Sequence, residues 1–158
     1  MPLFIKPRDY TFFQSINKEL VDEIIETPVI LFGVDKEATK SNLYGESTQK
    51  IFTSGISVNA LIEHDPQETD DQEFGPDVYQ SLRVAINRKS LFTVNFYPER
   101  GDYLKWNNAY YEVGIIEDNQ LIAGRDYKDA ETPGMSHSII VSAHMVSADS
   151  INIRDEVL

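Results

Sequence analysis

The sequence predicts an α+β fold that is mostly β: a small antiparallel barrel or sandwich with one N-terminal amphipathic helix and long loops. Three observations carry this. Apolar residues recur at three- and four-residue steps near the N-terminus, from Phe13 to Ile24. Beyond Pro28 the pattern changes to short β-branched runs and alternation of apolar with polar residues. Between these runs stand long polar stretches containing Gly and Pro, with no period. The 158 residues suit one domain, divided into an extended arm (1–8), a helix (9–27), a β-rich body (28–150) and a tail (151–158).

Pro2 and Pro7 bias residues 1 to 8 toward an extended arm. Asp9 or Thr11 can cap the helix, and Phe13, Ile16, Leu20 and Ile24 share one face, widened by Phe12, Val21 and Ile25. Core packing is the first expectation for this stripe. The alternative makes Phe13, Ile16, Leu20 and Ile24 a docking face for another chain. Thr27-Pro28 stops the helix. Val29 to Phe32 reads as a buried strand, and residues 34–48 as a loop long enough to suggest function. From Gln49 to His64 the alternation returns, with Ile56, Val58, Ala60 and Ile62 on one side and Ser57, Asn59, Leu61 and Glu63 on the other.

The stretch HDPQETDDQEFGPD interrupts this pattern. Seven carboxylates run from Glu63 to Asp77 with no Lys or Arg among them, the signature of a solvated, mobile loop. Asp65, Glu68, Asp70, Asp71 and Glu73 are its candidate partner-facing or lumen-facing groups; a divalent-cation site is the sharper alternative. Val78 to Asn87 resumes as a strand with Val78, Leu82, Val84 and Ile86 on one side. NRKSLFT suits a single helical turn, and strands follow near 102–106, 110–117 and 138–146, with GRDYKDAETPG as another loop.

GDYLKWNNAYYEV, residues 101–113, is dense in aromatic side chains. Asn-Asn tolerates positive φ, so Asn107-Asn108 favours a tight hairpin, somewhat less than Asn-Gly would. Period two sets Tyr103 and Lys105 on one face and Leu104 and Trp106 on the other, with Tyr111 and Val113 sharing a face of the returning strand. Tyr103, Trp106 and Tyr111 are the candidate hairpin core, stabilised as cross-strand aromatic pairs. An aromatic platform for nucleic acid would need basic residues among the rings, and only Lys105 is there.

Charge and composition narrow the chemistry. Fourteen Lys and Arg against 26 Asp and Glu give a net charge of −12, which opposes a phosphate backbone. The cations are scattered, with Arg88-Lys89 the nearest thing to a cluster. No cysteine is present, which excludes disulfides, thiolate nucleophiles and Cys-containing zinc sites. No apolar run approaches the ~20 residues of a membrane span, and MPLFIKPRDY lacks the features of a signal peptide, so a cytoplasmic site of synthesis is expected. No phosphate-binding Gly-rich loop, GxSxG elbow or HExxH occurs. His137 and His144, seven apart in a predicted strand, point to opposite faces. His64 with Asp70 and Asp71 is the one conceivable metal-hydrolase set, against the plainer reading of a strand end flanked by acids. The sequence therefore predicts no enzyme, no cofactor and no metal.

The order LRVAIN, RKSLF, ERGDYLKW, an Asn-rich hairpin and then YYEVGIIED resembles the neck proteins of contractile-tailed bacteriophages, the head-completion or stopper family. Gly101-Asp102 and Tyr111-Glu112-Val113 occupy the positions where that family introduces successive strands, and SHSIIVSAHMVSAD would be the strand after a long variable loop. The match covers residues 75–150, and KPRDYTFFQSINKELVDEIIETPVILF resembles such proteins more loosely. The resemblance implies a virion structural protein at the head-to-tail connector, made in the host cytoplasm. It implies a homo-oligomeric ring, a hexamer or dodecamer, that encloses double-stranded DNA and contacts portal, adaptor and tail-end proteins. Stopper, adaptor and tail-completion ring stay open. Six copies would carry 6 × −12, or −72, an acidic wall past which a duplex can slide. The competing reading is an acidic module that captures a basic peptide or protein.

Overall fold

The computed structural model describes residues 7–39, 50–72, 75–118 and 138–147. Helix α1 spans Pro7–Glu19 and continues as one π-helical turn, Leu20–Ile25. Pro7 sits in the first turn, where its missing N–H is no loss. The helix thus begins before Asp9 and Thr11, which lie inside it rather than at its start. Glu26 ends it in the left-handed region at φ 45°, its N–H donating to the Val21 carbonyl.

Six strands close a barrel in the order β1-β2-β5-β8-β7-β6, every pairing antiparallel. They are β1 (Pro28–Phe32), β2 (Ile56–His64), β5 (Ser81–Asn87), β6 (Tyr103–Trp106), β7 (Ala109–Glu117) and β8 (Ser138–Val146). Pro28 opens β1, the position in a strand where a missing donor costs least. The inward side chains are those that alternation selects: Val29 and Leu31, Val58 and Ala60, then Leu82, Val84 and Ile86. Leu104, Tyr111, Val113, Ile139 and Val141 complete the core. A six-residue helix, α2 (Arg88–Thr93), turns in after β5 and buries Leu91 in that core. Asn87 caps it, its side chain accepting from the Lys89 N–H at 2.9 Å.

Three segments depart from the sequence pattern. The predicted strand from Gln49 begins only at Ile56, because residues 50–53 cross the outside of the barrel, pairing Phe52 with Val34. Gly55 is required there: a Cβ would lie 2.7 Å from Ile30 and 2.8 Å from the Phe32 ring. The predicted acidic loop is largely a hairpin, β3 (Glu68–Gln72) against β4 (Gly75–Tyr79), forming its own two-stranded sheet. Backbone pairing needs no apolar side chain, so a charge run can still form a ladder. Finally, the strand expected from Val78 to Asn87 breaks at Gln80 into β4 and β5. Residues 1–6, 40–49, 73–74, 119–137 and 148–158 lie outside the described residues, taking with them the arm up to Lys6, most of the 34–48 loop, Glu73, GRDYKDAETPG, His137 and the tail.

Candidate interaction surface

The apolar stripe of the N-terminal helix is exposed. Phe12, Phe13, Ile16, Leu20 and Ile24 keep 60, 47, 46, 43 and 69% of their surface in solvent, which overturns the expectation of core packing. The barrel interior is already filled by its own strands, leaving the helix no cavity to enter. What joins helix to body is its π-helical end. Val21 is buried, the Asp22 carbonyl accepts from Asn59 Nδ2 at 3.0 Å, and Asp22 Oδ2 accepts from Ser90 Oγ at 3.1 Å. Single π turns recur where a helix must change direction or present a functional face. Exposed apolar faces of this kind mark sites of association.

A second apolar surface lies beside α2. Arg88, Leu91, Phe92, Phe96, Tyr97 and Ile139 border a pocket of about 180 Å³, with Phe92 67% and Tyr97 49% exposed. Arg88 Nη1 meets Asp118 Oδ1 at 2.9 Å, and Tyr97 donates to Asp118 Oδ2 at 2.9 Å. Burial, then the bond to Asp118, raises the Tyr97 pKa.

The hairpin is built as an aromatic structural unit. Asn107 and Asn108 adopt φ 49° and 61°, the left-handed pair of a type I′ turn. Tyr111 is in the core and donates to Gln80 Oε1 at 2.8 Å. Trp106 is half-buried at the edge of the core, its ring 5.5 Å from that of His64. Tyr103, expected in the same core, lies on the opposite face. It is buried under Phe52, edge to face at 4.9 Å, and its hydroxyl donates to Glu112 Oε2 at 3.3 Å. Glu112 Oε1 holds Lys50 Nζ at 3.0 Å. Burial first, then Glu112, pushes the Tyr103 pKa up to about 12. Leu104, not singled out from the sequence, is the residue that faces inward, as period two requires. Lys105 packs over the Tyr110 ring at 5.1 Å, so the cation of the hairpin is engaged within it.

A depression of about 380 Å³ on the outer wall is bordered by Asp65, Ser81, Arg83, Ile115 and His144. The register aligns Ser81, His144 and Glu112 across β5, β8 and β7. Glu112 Oε1 accepts from Lys50 and its Oε2 from Tyr103. Arg83 is bound to Glu117 at 3.1 Å and approaches Glu63 at 4.0 Å. Among the described residues no three His, Asp or Glu side chains could hold a metal ion. His64, whose Nδ1 lies 3.4 Å from the Asp65 carbonyl, ends β2, while Asp70 and Asp71 belong to the separate hairpin. Glu68 opens that hairpin, Asp65 N–H donates to the Ser81 carbonyl at 3.1 Å, and Glu73 lies outside the described residues. Among the described residues no helix is long and apolar enough to cross a membrane. Compared with known protein families and with curated proteins, the chain matches none.

Proposed function

We propose that this chain is a non-catalytic ring subunit of the neck of a contractile-tailed bacteriophage, joining or closing the portal exit where head meets tail. The observation that carries the reading is the N-terminal helix, which presents five large apolar side chains that its own barrel leaves uncovered. A lone domain gains nothing from such a face; an assembling subunit needs one. Two further features support it. The segments that resemble neck proteins are the barrel's structural segments: LRVAIN is β5, RKSLF is α2, and YYEVGIIED holds most of β7. A net charge of −12 suits the wall of a channel through which DNA must move without sticking. In this role the working form is a hexamer or dodecamer in the virion, seated against portal or adaptor and tail-end proteins.

Negative-stain imaging and sedimentation of the purified chain, alone and mixed with portal or tail components, test the reading. Closed rings, or stoichiometric capture onto a portal or tail end, are expected. A strict monomer at high concentration, together with normal head–tail joining in particles that lack the protein, would sink it. A monomer that instead binds a basic peptide at one-to-one ratio would identify an acidic binding module.

A further inference from the structure

The depression on the outer wall of the barrel has a structural origin. β7 carries an extra residue at Gly114, and its register against β8 shifts between Val113 and Ile115. Gly114 lines the hollow without a side chain to fill it. A Cβ there would meet the Ser142 carbonyl at 3.8 Å and His144 Nδ1 at 3.9 Å, both ordinary contacts. Around this gap stand Asp65, Ser81, Ser142 and His144. Among the described residues, the side chains of these four have no hydrogen-bond or ion-pair partner. Ser81 and His144 face each other directly across β5 and β8. At about 380 Å³ the hollow falls within the ~300–1,000 Å³ of small-molecule sites.

The lining selects the chemistry of the ligand. Arg83 is held by Glu117 at 3.1 Å and approaches Glu63 at 4.0 Å, so a phosphate or carboxylate finds no free guanidinium there. Among the described residues no Phe, Tyr or Trp borders the hollow, which leaves a nucleobase no ring to stack on. What the four unengaged side chains offer together is hydrogen-bond acceptors: a carboxylate, two hydroxyls and an imidazole nitrogen. An ammonium group, with three donors and no acceptor, is their complement. Asp65 and Ser81 also form the root of the β3–β4 hairpin, joined by the Asp65 N–H to Ser81 carbonyl bond at 3.1 Å. The seven carboxylates from Glu63 to Asp77, with no Lys or Arg among them, make the local field attractive to cations. Ile115, 56% exposed on the rim, can pack an aliphatic stem. We propose that this hollow binds an alkylammonium group, the head of a free polyamine or of a lysyl side chain. The site does not depend on the ring reading above.

Titration of the isotope-labelled full chain with putrescine, followed by NMR at ~0.15 M salt, tests the site. Salt at that level screens diffuse attraction to a chain of net charge −12. Saturable shifts centred on the amides of Gly114, Ser142 and His144 are expected. Butanol, which has the stem without the charge, should bind about tenfold more weakly or worse. Asp65→Asn, at an exposed position, should weaken putrescine about tenfold while leaving the melting temperature in place. Gly114→Leu fills the hollow at a position whose backbone accepts a side chain, and should abolish binding. If that variant does not fold, Asp65→Asn decides alone. Capped lysine, N-acetyl-lysine methylamide, separates the two sources. Tighter binding of lysine marks a protein partner's side chain, and tighter binding of putrescine marks a free polyamine. No saturable binding, shifts spread evenly over the acidic surface, equal binding of butanol, or variants that bind as the wild type does would overturn the proposal. None of these results bears on whether the chain forms rings.

Discussion

Asp102 ties together parts of the chain 68 residues apart. Its Oδ1 accepts from the Val34 N–H at 2.9 Å and its Oδ2 from the Glu99 N–H at 2.7 Å, while Gly101 before it turns at φ 88°. Burial pushes its pKa upward, and the two backbone donors oppose that in part. Asp102→Ala leaves both N–H groups without their acceptor, and urea denaturation should register a loss of about 2–4 kcal/mol. Tyr103 offers a pH test with a defined sign. Its folded-state pKa, about 12, stands above the ordinary 10, so the native state keeps a proton that the unfolded chain gives up. Stability from this group is intact below pH 10 and is lost progressively between pH 10 and 12, by roughly 3 kcal/mol for the full shift. Tyr103→Phe should flatten the fall in melting temperature over that range; an unchanged slope would show that another group is responsible. Trp106 is half-buried rather than central, so Trp106→Ala is expected to cost ~2–3 kcal/mol, below the 3–5 kcal/mol of a fully enclosed aromatic ring.

At the scale of the element, the hairpin and the helix show what the sequence can and cannot disclose. Asn107 and Asn108 announced a tight turn because few residues accept positive φ, and both adopt it. Asn108→Gly should raise the melting temperature slightly, and Asn108→Val should lower stability by ~1 kcal/mol or more. The barrel strands were legible for a similar reason, since period two states directly which of Leu82, Arg83 and Val84 turn inward. The helix was legible as a helix but not in its placement. Spacing reveals that Phe13, Ile16, Leu20 and Ile24 share a face; what covers that face depends on how fully the strands close around their own core. Tyr103 was misplaced because its burial comes from Phe52, brought over it by a segment whose path no local pattern fixes. The β3–β4 hairpin was missed because its pairing is made by backbone groups beneath a run of acids. A two-stranded sheet is marginal by itself, so hydrogen exchange should find β3 and β4 opening well before any barrel strand.

Among the described residues the six-stranded sheet closes on itself, and closure removes its exposed strand edges, through which β proteins aggregate; the β3–β4 hairpin keeps its own. Assembly should then depend on the appended parts. Deleting residues 1–10 should weaken self-association without altering the melting of the barrel, as circular dichroism and sedimentation can establish together. Raising salt from low levels to ~0.15 M shortens the Debye length to ~8 Å and should strengthen assembly, because repulsion between copies of charge −12 acts over longer range than apolar contact. Closure also orders events in time. β1 is bracketed by β2 and β6, and its partners in β6 are Tyr103, Leu104 and Lys105, more than seventy residues downstream. While the chain is being synthesised, Pro28–Phe32 must therefore wait with one side open until β6 has left the ribosome. β5 waits in the same way for β8, which begins only at Ser138. Contacts this distant in sequence give folding times of milliseconds to seconds, and stopped-flow refolding should show a slow phase that weakening the Leu31–Leu104 seam retards further.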